Sequence, residues 1–173
     1  DHIRVLPGYA ALRERALAGE KRLPLGVIRA ARAAVAAALA QDLGRPTLIV
    51  TARPDRATAF ADELPIWWPG AAVRPFSEPA PMFYEPAVWG SRTVSERIAA
   101  LSAWADLHAT IGSAGSGATA SSAPLITTTS VRALMTRTLP LREFLTRTRK
   151  LRRGATVRLD ALLTLWAESG YEP

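Results

Sequence analysis

Cysteine is absent from the 173 residues, and histidine occurs only twice. Without cysteine the chain forms neither a disulfide nor a thiolate metal site, which suits a reducing compartment, so we expect a cytoplasmic protein. No apolar run reaches the length of a membrane span, because Arg29 and Arg32 interrupt the longest one. The carboxylates and histidines show no spacing typical of a catalytic or metal centre, so we predict no catalytic residues and no metal site.

Lysine is nearly absent as well, since 20 of the 22 basic residues are arginine. The net charge is +7, but residues 132–158 contain nine basic residues against a single acidic one, Glu143. Such a segment can bind an acidic protein partner, contact nucleic-acid phosphates or form a solvated surface. The residues that we favour as partner-binding are Arg149, Lys150, Arg152, Arg153 and Arg158.

Strand-like and helix-like segments alternate along the first 140 residues. The expected helices span residues 8–19, 29–43, 54–65, 91–109 and 131–137, and the expected strands span 21–27, 47–51, 71–74 and 125–128. Alternation with short connections predicts an α/β fold, a doubly wound parallel sheet with helices on both faces. The continuous apolar run of residues 47–51 is typical of a central strand in such a sheet.

Two changes of composition indicate how the chain is divided. Residues 112–124 consist mostly of Gly, Ser and Ala and are expected to form a flexible linker within a first domain of residues 1–140. Residues 141–173 are expected to begin a second, small α+β domain. Its expected elements are a strand in 142–151, a turn at 154–156 and a helix at 158–169.

A proline-rich crossing leads into an amphipathic helix within residues 75–101. Prolines fix φ and lack an N–H donor, so the first half of this stretch is neither an interior helix nor a central strand. Its centre is the aromatic and acidic sequence Phe83–Pro86. The helix that follows is expected to bury Val94, Ile98, Leu101, Trp104 and Ala105.

The turn after the first strand is where a doubly wound sheet commonly binds phosphate. Here Gly26 is followed by Ala31, Arg32 and Ala33, where a phosphate loop would have glycine, lysine and a hydroxyl residue. Ala33 has no hydroxyl for magnesium, and Arg32 keeps the charge without the lysine geometry. We therefore expect a degenerate phosphate loop and no bound cofactor; an active nucleotide hydrolase with an unusual loop is the alternative.

The order of these segments resembles the amino-terminal, UvrB-like region of bacterial transcription-repair coupling factors. The matching motifs are the Ala-rich helix in 26–43, the turn at 50–55, Phe83–Pro86, Ser95–Ile98, Thr128–Leu134, Gly154–Leu162 and Gly170–Tyr171. UvrB itself has an intact phosphate loop and a long DNA-clamping hairpin after the aromatic sequence. Only five residues separate Pro86 from Arg92 here, which favours the coupling factors over UvrB.

The resemblance implies a non-catalytic module that links stalled RNA polymerase to nucleotide excision repair of DNA damage by recruiting UvrA. It implies that residues from about 141 onward begin the UvrA-docking domain. The complete protein would be an ATP-dependent DNA translocase related to helicases, with ATP, magnesium, DNA and polymerase bound by its other domains. A basic nucleic-acid-binding module using residues 132–158 is a further alternative.

Overall fold

The computed structural model describes residues 2–80, 88–113, 124–151, 153–154 and 156–168. The helices are α1 (Pro7–Leu17), α2 (Arg32–Leu43), α3 (Pro54–Trp67), α4 (Ser91–Ser113), α5 (Val131–Met135), α6 (Leu141–Arg147) and α7 (Leu159–Glu168). The strands are β1 (Thr47–Thr51), β2 (Ala72–Phe76) and β3 (Leu125–Ser130), and a single 3-10 turn (Arg29–Ala31) precedes α2. The chain divides into two compact units, Asp1–Thr136 and Arg137–Pro173.

The three strands form one parallel sheet in the order β1–β3–β2, which confirms the predicted α/β class. The expectation that residues 47–51 form a central strand is wrong for the described part of the chain, because β3 lies between the other two strands. Ile49 packs into the core, whereas Leu48 and Val50 point to the opposite face and are 46% and 45% exposed. In this sheet the apolar run of residues 47–51 therefore forms an edge strand, β1.

Helices α2 and α3 cover one face of the sheet. Leu64 of α3 and Ile126 of β3 are completely buried and pack against Ala37 and Ala40 of α2. The small alanine side chains allow α2 to lie close to the other helix. The predicted end of α2 is confirmed, since Gly44 follows with a φ of 59°, in the left-handed region that favours glycine.

Helix α4 covers the opposite face, where Phe76, Ala100 and Ala133 form a second buried cluster. The predicted apolar face of this helix is partly wrong. Ile98 is 45% exposed, whereas Arg97, one position earlier, is only 3% exposed. The buried stripe is rotated because Arg97 finds aromatic rings and backbone carbonyls as partners inside the fold.

Other boundaries differ from expectation for local reasons. Residues 21–28 form neither helix nor strand; Pro24 lacks an N–H donor, and Ile28 is 75% exposed. Helix α3 continues through Pro65, because a proline in the last turn removes only one hydrogen bond of the helix.

Helix α4 extends into the predicted linker, since it includes residues 112–113. Residues 114–123 of that linker lie outside the described residues, as do Phe83–Pro86.

The second unit begins with a helix where a strand was expected. Residues 141–147 form α6, which follows Pro140 at the N-cap position and buries Phe144. Gly154 has a φ of 84° in the expected turn. Helix α7 covers most of the expected helix at 158–169, and it buries none of its side chains.

Within the first unit, Asp42 links α2 to α1 and to the residues before α1. Its carboxylate accepts hydrogen bonds from the Tyr9 hydroxyl at 2.7 Å and from Nε of Arg4 at 2.8 Å. Nε of Arg13 lies 3.7 Å from the same carboxylate. Partial burial alone would raise the pKa of Asp42, but the hydrogen bonds from Tyr9 and Arg4 outweigh it, so the pKa lies below its usual range.

Protonation of Asp42 is expected to loosen α1. Because its pKa is lowered in the folded state, Asp42 stabilises the fold above its unfolded pKa of about 3.9, and this stabilisation is lost as the pH falls through the folded value. Asp42→Asn should lower the free energy of unfolding at pH 7 by about 1–2 kcal/mol and flatten its decline below about pH 4. Urea denaturation at pH 7 and at a pH below about 4 measures the free energy of unfolding of both proteins. If it declined with acid equally in the variant and the unmodified protein, the prediction would be contradicted.

Candidate functional site

The predicted phosphate loop is divided between an irregular segment and the start of α2. Gly26 is exposed in the irregular segment, Ala31 ends the 3-10 turn and Arg32 begins α2. Ala33 is 1% exposed, so its methyl group packs inside the protein. Nε of Arg32 donates to the carbonyl of Val27 at 3.2 Å. In the described residues before this helix, no strand leads into the loop.

A cavity of about 440 Å³ lies beside this helix start, at the carboxyl end of β1. The topology explains its position: α2 leads into the amino end of β1, and α3 leaves its carboxyl end, so both helices begin at this edge of the sheet. Its basic lining residues are Arg29, Arg32, Arg53 and Arg56. Ile49, Val50 and Phe60 contribute apolar surface to the same cavity.

The positive charge of this cavity is only partly balanced. Asp55 lies 3.0 Å from Nε of Arg53 and 4.0 Å from Nε of Arg56. Asp55 is not among the lining residues, whereas the carboxylate residue Glu63 lines the cavity. Two carboxylates against four guanidinium groups leave a local charge of +2. The sequence-based prediction included Arg32 but missed the other three arginines. The signal that could have indicated them is the i, i+3 spacing within the pairs Arg29/Arg32 and Arg53/Arg56.

Glu78 connects the carboxyl end of β3 with α5. The Ser130 hydroxyl donates to Glu78 at 2.7 Å and accepts the N–H of Ala133 at 3.1 Å, so Ser130 is the N-cap residue of α5. Nε of Arg132 lies 3.1 Å from the Glu78 carboxylate. The hydroxyl of Ser130, 1% exposed, is thus used as both donor and acceptor in holding α5 on the sheet.

The predicted partner-binding residues belong to the second unit. Arg149, Lys150 and Arg158 line one cavity of about 630 Å³ between the end of α6 and α7. Arg153 is exposed, and Arg152 lies outside the described residues. The structure therefore brings three of the five together.

Apolar side chains share that cavity with the cations, which the charge pattern did not indicate. Leu151 and Val157 line it and are 57% and 45% exposed. Asp160 lies 2.7 Å from Arg158 in a pair of exposed side chains. An exposed ion pair of this kind contributes little to the free energy of unfolding.

Across the described residues, no three of the side chains His, Asp and Glu lie close enough to hold a metal ion. None of the described helices is both long and apolar enough to cross a membrane.

Comparison with models of known protein families gives no match for this chain, and comparison with curated proteins gives none. The likeness to transcription-repair coupling factors therefore rests on the motifs quoted above.

Proposed function

We propose that this chain is a non-catalytic module of a transcription-repair coupling factor that recruits UvrA to a stalled RNA polymerase. One observation carries the proposal: Arg149, Lys150 and Arg158 line the same concave surface as the exposed residues Leu151 and Val157. Arginine combined with accessible apolar groups is typical of protein–protein interfaces. This surface lies in the region that the resemblance assigns to UvrA docking.

The first unit supports a scaffolding role. Helix α4 begins at Ser91, a few residues after Pro86, which leaves too little chain for a DNA-clamping hairpin. Ala33 is buried at the position where a phosphate loop would present a hydroxyl group to magnesium. The ATP-driven steps of the complete protein would belong to its other domains.

We expect purified UvrA to bind the full-length protein that contains this region and to bind a charge-reversed variant at least tenfold more weakly. The variant is Arg149→Glu/Lys150→Glu, which replaces two attractive contacts to an acidic partner by repulsive ones; about 1.4 kcal/mol corresponds to tenfold. The measurement is the Kd by surface plasmon resonance.

The matched control is Arg22→Glu/Arg45→Glu, which makes the same charge change at exposed residues of the first unit. It should retain UvrA binding. Failure of the unmodified protein to bind UvrA, or equal losses in both variants, would refute recruitment through this surface.

A nucleic-acid-binding role is the second candidate, favoured by the nine basic residues against Glu143 in 132–158. It requires an affinity for duplex DNA that falls steeply with salt and weakens in Arg149→Glu/Lys150→Glu. Fluorescence anisotropy with a labelled duplex at two salt concentrations separates the candidates. Under the UvrA proposal the substitution leaves DNA binding unchanged.

A further inference from the structure

We propose that the arginine-lined cavity at the carboxyl end of β1 binds the phosphate groups of a small phosphorylated molecule. The volume of about 440 Å³ falls within the range of roughly 300–1,000 Å³ that is usual for small-molecule sites. The cavity lies entirely within the first unit. This inference is therefore independent of UvrA recruitment by the second unit.

The position in the sheet favours an anion. Ligands of parallel α/β sheets commonly bind outside the carboxyl ends of the strands, where helices begin. Both α2 and α3 begin at this edge, so the positive ends of two helix dipoles lie on the same side of the cavity. An anion placed there is attracted by both helices.

The arginines are arranged as two pairs, one at the start of each helix. Arg29 and Arg32 precede and begin α2, and Arg53 and Arg56 flank the start of α3. All four side chains are exposed at the cavity, although Nε of Arg32 donates to the Val27 carbonyl and Nε of Arg53 donates to Asp55. Each guanidinium group can donate two parallel hydrogen bonds to a phosphate, which a lysine cannot do.

The charge balance explains why the cavity would take a polyanion. Four arginines line it, Asp55 lies beside two of them, and Glu63 lines the same cavity. A ligand carrying two or more negative charges complements this excess of positive charge.

The remaining wall suggests how the rest of the ligand is held. Ile49, Val50 and Phe60 supply apolar surface next to the arginines. The Thr51 hydroxyl is already directed to the carbonyls of Arg53, at 2.8 Å, and Thr129, at 3.2 Å. Because this hydroxyl is already engaged, we expect the arginines to recognise the phosphate charge and the apolar residues to contact the rest of the ligand.

Isothermal titration of the 173-residue chain with tripolyphosphate and with ATP tests this inference. We expect saturable binding with a stoichiometry of one ligand molecule per chain and an affinity that decreases as the salt concentration rises. Arg32→Gln/Arg56→Gln, which removes one arginine from each helix start, should weaken the Kd at least tenfold, since charge-assisted hydrogen bonds to phosphate are lost. Circular dichroism establishes that the variant is folded.

The matched control is Arg22→Gln/Arg45→Gln, with the same change of net charge away from the cavity. Its Kd should stay within about twofold of the unmodified value, because distant charges are screened. Equal Kd values for tripolyphosphate and ATP assign binding to the phosphates alone. Tighter binding of ATP that weakens in Phe60→Ala places the nucleoside on the apolar wall.

Three results would overturn the proposal. The first is no saturable binding of either compound. The second is an equal loss of affinity in the cavity variant and in the control variant. The third is binding of a single-stranded oligonucleotide without binding of tripolyphosphate, which would indicate a nucleic-acid surface instead.

Discussion

Replacing Arg97 by alanine is expected to lower the free energy of unfolding by about 3–5 kcal/mol. The side chain is 3% exposed, and its guanidinium carbon lies 3.9 Å from the ring centre of Phe76 and 5.1 Å from that of Trp89. Nη1 donates to the carbonyls of Ser77, at 3.0 Å, and Ala133, at 3.4 Å. Alanine would leave a cavity between two rings and remove both hydrogen bonds.

Arg97 also has an energetic cost, because it is a buried cation and no acidic side chain among the described residues pairs with it. Its Nη2 has no hydrogen-bond partner in the described part of the chain, and burial lowers the pKa of Arg97 by disfavouring the charged form. Attraction between the guanidinium group and the two rings offsets part of this cost. Arg97→Met fills most of the space without the charge, so we expect it to lose about half as much stability as Arg97→Ala.

Urea denaturation followed by circular dichroism measures these differences. Arg92→Ala is the control in the same helix: its side chain is 84% exposed and pairs with Glu96 four residues away. We expect the control to leave the denaturation midpoint nearly unchanged, because an exposed ion pair contributes little to stability. A cost below about 1 kcal/mol for Arg97→Ala would contradict the assigned packing role.

Signals between neighbouring residues predicted the elements whose ends they determine. Gly44 ends α2 because only glycine adopts the left-handed conformation at low cost, and Pro54 begins α3 because the first helical position needs no N–H donor. Ser130 caps α5 through its own side chain. Each of these signals acts over only a few residues. It can therefore be recognised in the sequence without knowledge of the tertiary structure.

The burial of polar residues was not predictable in this way. Residues 127–130 are Thr and Ser, typical of an exposed strand, yet β3 is buried along its whole length. For two of these residues the fold supplies partners that lie far away in the sequence: the Thr129 hydroxyl donates to the Phe76 carbonyl at 2.9 Å, and Nε1 of Trp104 donates to the Thr127 hydroxyl at 2.8 Å. Arg97 is buried for the same reason.

The arginine-lined cavity shows the same limit for the candidate site. The pairs Arg29/Arg32 and Arg53/Arg56 each have a helical spacing that was visible in the sequence. Their convergence depends on α2 running back along the sheet before β1, which is a property of the topology. From the sequence, Arg32 is indicated only as a substitute for the lysine of a phosphate loop.

The second large effect is expected for Leu64→Ala, which should cost about 3–5 kcal/mol of folding free energy. Leu64 is completely buried and packs against Ala37, Ala40 and Ile126. Alanine side chains have no alternative rotamer, so the two neighbours on α2 cannot move into the space that the truncation leaves. The cost therefore includes a persistent cavity as well as the lost apolar burial.

Two further variants calibrate this prediction in the same urea denaturation experiment. Ile126→Val removes one methylene group from the same cluster and should cost about 0.5–1.5 kcal/mol. Val131→Ala changes a side chain that is 48% exposed and should stay within about 0.5 kcal/mol of the unmodified protein. If Leu64→Ala cost no more than Ile126→Val, α2 would have closed over the truncated site, and the core between α2, α3 and β3 would be deformable rather than closely packed.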